Sequence, residues 1–295
     1  QLLFHAAFGT LAENIEAAKL AERAGADLVL LSYPPQFWPS SEQEIYDYTR
    51  AFCDATDLAV MLFPIVHITN RGPGDWRGKL RPDDWDLWFG AYKVFIGEMA
   101  QLAQDEKSDF LVVGTEYVTT ETMRERWANV IAHVRGIFKG KLLYSANWDH
   151  FDPVSFWDLV DVAAVTAYHK LTASSMEPKM DEMVAAWDPV KRRLRNFQKR
   201  LNKPLIITEF ATVEAGDGGT KKAQWITDAF STIISRYPQI KAVVWFNWNA
   251  GNAGLTWPAE SSTPSKNAFA SAISNPTYLT NVFATLANGK IPARR

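Results

Sequence analysis

The sequence predicts an α/β protein folded as a single-domain (β/α)8, or TIM, barrel, on three observations. Its 295 residues suit one large barrel. Eight apolar runs of strand length recur along it, with helix-length segments between most of them. No linker or low-complexity stretch divides residues 1–295. Most runs are continuous rather than alternating, as expected of parallel strands covered on both faces.

The elements follow in order. The first run, Leu2 to Phe8, precedes a helix over Leu11 to Ala24 that stops at Gly25, a residue suited to a C-terminal cap. The second, Asp27 to Tyr33, leads to a helix from Glu42 to Ala55 with Cys53 on its apolar face. After the third, Leu58 to Val66, Pro82 and Asp83 open a helix carrying Trp85, Phe89, Tyr92, Ile96 and Met99 at core-facing spacing. The fourth, Asp109 to Glu116, is followed by a helix over Thr120 to Phe138. The fifth is Lys141 to Asn147 and the sixth Asp161 to Tyr168. A helix over Met180 to Leu201 carries Lys191, Arg192 and Arg193 as a solvated basic face. The seventh run, Pro204 to Phe210, a helix over Thr220 to Arg236 and the eighth run, Lys241 to Trp248, complete the series. A doubly wound sheet would want a glycine-rich phosphate turn after its first strand, and Phe8-Gly9-Thr10 is too thin for one.

Composition narrows the function. With 31 basic and 33 acidic residues and no block of one sign, neither nucleic acid nor a membrane surface is implied as partner. No apolar segment approaches the roughly 20 residues that span a bilayer, and no signal peptide is visible. The single cysteine forms neither an internal disulfide nor a cysteine metal site. Of the 12 Trp, most belong to the core, and a few could stack on sugar rings.

In a (β/α)8 barrel the chemistry sits at the C-terminal strand ends. Read there, the sequence offers His67, Glu116, Asn147, Trp148, Tyr168, Glu209, Trp245 and Trp248. Glu116 and Glu209 share one pattern: an apolar run, Thr, Glu, then an aromatic residue. Retaining glycosidases need such a pair, one carboxyl to protonate the departing oxygen and one to attack the anomeric carbon, about 5–5.5 Å apart. Tyr168 could hold the nucleophile ionised by a hydrogen bond, and a Trp on the eighth strand could stack under the sugar. A metal reading of His67, Glu116, His169 and Glu209 lacks any short ligand spacing, so no metal and no cofactor are expected.

At these residues the sequence resembles glycoside hydrolases of clan A, most closely family 113, whose known members are endo-β-1,4-mannanases. The resemblance runs from about His67 to Trp248. It is carried by Gly74-Asp75-Trp76-Arg77-Gly78, Trp85-Asp86-Leu87-Trp88-Phe89, Val113-Gly114-Thr115-Glu116, Tyr144-Ser145-Ala146-Asn147-Trp148-Asp149, Thr208-Glu209 and Trp245-Phe246-Asn247-Trp248. It implies a retaining hydrolase of a β-linked oligo- or polysaccharide such as β-1,4-mannan, with Glu116 as acid/base and Glu209 as nucleophile. Asn147, Trp148, His67, Tyr168, Trp245 and Trp248, with Trp76 as a replacement contact, would line the sugar site. A monomer is expected.

Residues 1–66 are similar instead to the dihydrodipicolinate synthase family of aldolases, through His5-Ala6-Ala7-Phe8-Gly9-Thr10, Tyr33-Pro34-Pro35 and Phe52-Cys53-Asp54-Ala55-Thr56-Asp57-Leu58. The expectation is therefore a chimeric barrel, with an aldolase-like fragment over 1–66 and a glycosidase-like remainder over 67–295. The alternative function is an engineered or relic scaffold with little turnover. A Schiff-base aldolase would need a lysine on the sixth strand, and Val162 to Tyr168 contains none.

Overall fold

A computed structural model describes residues 3–6, 10–23, 26, 28–31, 33, 39–70, 72–167, 189, 192–197, 199–214, 216–236, 240–247 and 256–276. They fall into two compact units, residues 3–165 and residues 166–290, the second described as far as residue 276.

In the first unit six strands pair in chain order, every pair parallel. They are β1 (Leu3–Ala6), β2 (Leu28–Leu31), β3 (Ala59–Leu62), β4 (Phe110–Thr115), β5 (Lys141–Ala146) and β6 (Val162–Thr166). Helices α1 (Leu11–Arg23), α2 (Glu42–Asp54), α3 (Trp85–Asp105) and α4 (Arg124–Ile137) follow the first four in turn. Every residue of β2, β4 and β6 is buried, which is why those runs are apolar without alternation.

Local chemistry sets the helix ends. Ser41 caps α2 by accepting from Glu44 N, and Asp84 caps α3 by accepting from Asp86 N at 2.7 Å and Leu87 N at 3.1 Å. The buried face of α3 carries Phe89, Tyr92, Ile96, Met99 and Leu102, as the helical spacing expects. Two expected boundaries are shorter in the structure. The third strand pairs only over 59–62, because Pro64 has no N–H for a ladder. The helix expected from Thr120 begins at Arg124, because Val118–Thr120 form a 3-10 turn with Thr120 N donating to Tyr117 O at 2.8 Å.

Between β4 and β5 the register slips by one residue. Val112 pairs with Leu143, but Thr115 pairs with Ser145, so β4 carries a bulge at Val113 and Gly114. Aromatic rings fill the space there. A Cβ on Gly114 would lie 2.8 Å from Trp127 Cη2, 3.0 Å from Tyr144 Cε2 and 3.1 Å from Tyr117 Cδ2. Gly114→Ala is therefore expected to lower stability by about 2 kcal/mol, read as a lower urea midpoint at unchanged slope. An unchanged midpoint would show that those rings yield freely.

In the second unit β7 (Leu205–Phe210) and β8 (Ile240–Trp245) pair in parallel, with α5 (Thr220–Arg236) between them and α6 (Thr263–Ile273) after. Residues 192–197 are helical, within the helix expected over 180–201; residues 180–188 lie outside the described residues. Ile207, Phe210, Trp225, Ile226, Phe230 and Trp245 form the core of this unit. Within it Lys222 is fully buried. Its ammonium donates to Thr256 O at 2.8 Å, Pro258 O at 2.7 Å and Ser261 Oγ at 2.8 Å. Burial lowers its pKa to about 8 while the charge of Glu214 opposes that, so it stays an ammonium at neutral pH. Among the described residues no helix is long and apolar enough to cross a membrane.

Candidate active site

Glu116 follows Thr115, the last residue of β4, one residue beyond the bulge. It is 7% exposed and takes a left-handed backbone, φ 55°, a conformation that costs a non-glycine residue about 1 kcal/mol or more. The neighbouring strand holds it there: Glu116 N donates to Ser145 O at 2.8 Å, and Tyr117 N to the Tyr144 hydroxyl at 3.1 Å. Its carboxylate is met by Arg77, whose Nη2 lies 2.5 Å from Oε2. Arg77 opens the short 3-10 helix Arg77–Lys79 right after Trp76, whose ring lies flat against Gly78.

Two further groups stand at the end of β5. Asn147 is buried, and its Oδ1 has no hydrogen-bond partner among the described residues. Asp149 Oδ1 meets His150 Nδ1 at 2.6 Å. Trp148 is half-buried between them. His67 is exposed, five residues beyond the end of β3.

A second buried carboxyl lies nearby. Glu121 is fully buried, and its Oε1 accepts from the Tyr144 hydroxyl at 2.9 Å. Its Oε2 has no partner among the described residues. Burial raises its pKa to about 8; the charges of Glu116 and Asp149 add to the rise and the Tyr144 hydrogen bond opposes it. It is a neutral acid at pH 7.

In the second unit Glu209 is the penultimate residue of β7 and half-buried. A bulge lies here as well: Ile207 pairs with Val243 and Phe210 with Trp245, one residue more on β7 than on β8. That extra residue lets Ile207 and Phe210, three apart, both join the core, with Glu209 between them. Ala167 N donates to Glu209 O at 2.7 Å.

Trp245, expected in the sugar site, is 7% exposed and packs against Phe210, Trp225, Phe230 and Phe269 at centroid distances of 6.1, 6.1, 6.5 and 5.2 Å. Its Nε1 donates to Trp257 O at 3.2 Å, so its faces and its donor are used by the core. Tyr168, His169 and Trp248 lie outside the described residues. Among the described residues no group of three or more His, Cys, Asp or Glu could hold a metal ion. Glu121 and the Tyr144 hydroxyl went unread in the sequence; the only signal was a carboxylate near a strand end and a tyrosine inside an apolar strand.

Residues 17–265, which include both Glu116 and Glu209, match the model of Glycoside Hydrolase Family 113. The chain belongs to Glycoside Hydrolase Family 113. As a member of it, the chain is a glycosyl hydrolase. This family 113 chain resembles a solved family 113 β-1,4-mannanase with a TM-score of 0.67 at 18% identity, covering 93% of this chain and 98% of that one. The family 113 β-mannanase of Alicyclobacillus acidocaldarius gives 0.65 at 21% identity, over 92% and 96%. Those likenesses carry the fold, that of clan A glycoside hydrolases. In sequence the chain is 28% identical over 178 residues to Endoglucanase H of Acetivibrio thermocellus, covering 55% of this chain and 19% of that protein. The chain thus spans about a fifth of the length of that curated relative. The family 113 match takes in residues 17–66, so the glycosidase likeness reaches well into the segment that resembles an aldolase.

Proposed function

We propose that this chain is a retaining hydrolase of a β-linked polysaccharide, β-1,4-mannan above others, acting as a monomer without a cofactor. In this reading the fold is a (β/α)8 barrel, and Glu116 and Glu209 are its catalytic pair. Glu209 attacks the anomeric carbon while Glu116 protonates the departing oxygen. Glu116 then takes a proton from water, which cleaves the glycosyl ester on Glu209. The observation that carries it is that Glu116 and Glu209 each sit at the C-terminal end of a parallel strand beside a one-residue bulge. The family match over both residues and the mannanase names of the two structural relatives support the substrate. Asn147, Trp148, Trp76, His67, Tyr168 and Trp248 are the proposed sugar contacts, with the bare Asn147 Oδ1 as the acceptor for a sugar hydroxyl.

The test is trapping. An activated 2-deoxy-2-fluoro mannosyl donor forms the ester but hydrolyses it slowly, so mass spectrometry of the digested protein should find one label, on Glu209. A label on another residue, or none with a donor that the enzyme consumes, would overturn the assignment. A second reading, an aldolase-type fragment over 1–66 that leaves turnover slight, rests on the motifs of that segment. The family 113 match from residue 17 weighs against it.

A further inference from the structure

The acid/base reading of Glu116 leaves unexplained how a strained residue is held in one orientation. Two peptide planes flank its Cα. The plane before it is fixed by Glu116 N donating to Ser145 O at 2.8 Å. The plane after it is fixed by Tyr117 N donating to the Tyr144 hydroxyl at 3.1 Å. A phenol has one proton, and it can meet an incoming N–H with a lone pair only if that proton points elsewhere. Glu121 Oε1, at 2.9 Å, is where it points.

We propose that Tyr144 and Glu121 are positioning residues for the candidate acid/base: a relay from Glu121 through the Tyr144 hydroxyl to the Tyr117 amide holds Glu116 at its left-handed backbone. The inference rests on the acid/base reading of Glu116. Its surroundings favour it. Thr120 N and Thr120 Oγ1 both donate to Tyr117 O at 2.8 Å, which anchors the other end of the Tyr117 residue. Ser155 N at 3.0 Å and Ser155 Oγ at 2.9 Å donate to Glu121 O and tether its backbone to the segment after β5. The Tyr144 ring is wedged between Trp127, Phe156 and Trp157, at centroid distances of 5.3, 4.9 and 5.9 Å, so the hydroxyl has one place to be. The Glu121 carboxyl stays neutral, so it serves as an acceptor of fixed direction and brings no second negative charge beside Glu116.

The experiment compares wild type with Tyr144→Phe, Glu121→Leu, Glu121→Gln and Glu116→Ala on two aryl β-mannobiosides. One carries a poor phenolic leaving group that needs protonation. The other carries 2,4-dinitrophenolate, which leaves unaided. A misplaced acid hurts only the first. Tyr144→Phe and Glu121→Leu should lose about 10²-fold in kcat on the poor leaving group and about threefold or less on dinitrophenolate. Glu121→Gln, whose amide oxygen can accept from Tyr144, should stay within about threefold of wild type on both. Equal losses on both substrates, or full activity in Tyr144→Phe, would overturn the relay. If Glu116→Ala itself shows no dependence on the leaving group, or wild type cleaves neither substrate, the acid/base reading fails instead. Hydrogen exchange then judges the relay alone: the Tyr117 amide should exchange about tenfold faster in Glu121→Leu and unchanged in Glu121→Gln. Equal exchange in wild type and Glu121→Leu would sink it.

Discussion

Glu209→Ala is expected to lower kcat on β-mannan by about 10⁴-fold or more, the largest loss of any single change in the chain. Without the carboxylate no glycosyl ester can form, and water has no preorganised attacker to replace it. Glu116→Ala should cost about 10²- to 10⁴-fold, the range of a lost general acid. Added azide distinguishes the two, because a small anion enters whichever cavity the missing carboxylate leaves. In Glu209→Ala it attacks the substrate itself and gives the α-glycosyl azide, with inversion. In Glu116→Ala it attacks the ester on Glu209 and gives the β-azide, with net retention. Products of the same configuration from both variants, or turnover undiminished in either, would end the two-glutamate mechanism.

Glu121→Gln is expected to stabilise the fold by about 4 kcal/mol near pH 8 and by almost nothing near pH 4. The sign follows from a carboxyl whose pKa rises from 4.5 to about 8 on folding. Below 4.5 both states hold the proton and there is no cost. Between 4.5 and 8 the unfolded chain releases it and the folded chain keeps it, so stability falls by about 1.4 kcal/mol per pH unit. Above 8 both are ionised and the deficit is constant. A glutamine never ionises, and its amide oxygen can still accept from Tyr144. Urea midpoints of the two proteins at three pH values near 4, 6 and 8 give the difference curve directly. A flat difference, or one that shrinks as pH rises, would mean that Glu121 is ionised in the native protein.

How much of this was legible depended on whether the signal was local. The buried runs at β4, β5 and β6 were legible because strands covered on both faces carry no alternation to confuse. Glu116 and Glu209 stood out as candidates because an apolar run that ends on a carboxylate brings a charged group to the edge of the core. Arg77 beside Glu116 and Tyr144 beside Glu121 were not legible, since those contacts cross 39 and 23 residues and follow no period. The packing of Trp245 was not legible either, because its side depends on pairing. It lies opposite Phe210, which faces the core, and which strand residue meets which is absent from composition and spacing.

The two bulges have an evolutionary corollary. Each carboxyl stands where it does through a count of residues rather than through the identity of a neighbour. Substitution can erase either glutamate in one step, but shifting one around its strand takes an insertion or a deletion, which turns every later side chain over. A lineage could lose this chemistry easily and relocate it only with difficulty, so descendants that stop cleaving sugar should still carry the extra residue, as a scar beside an empty position.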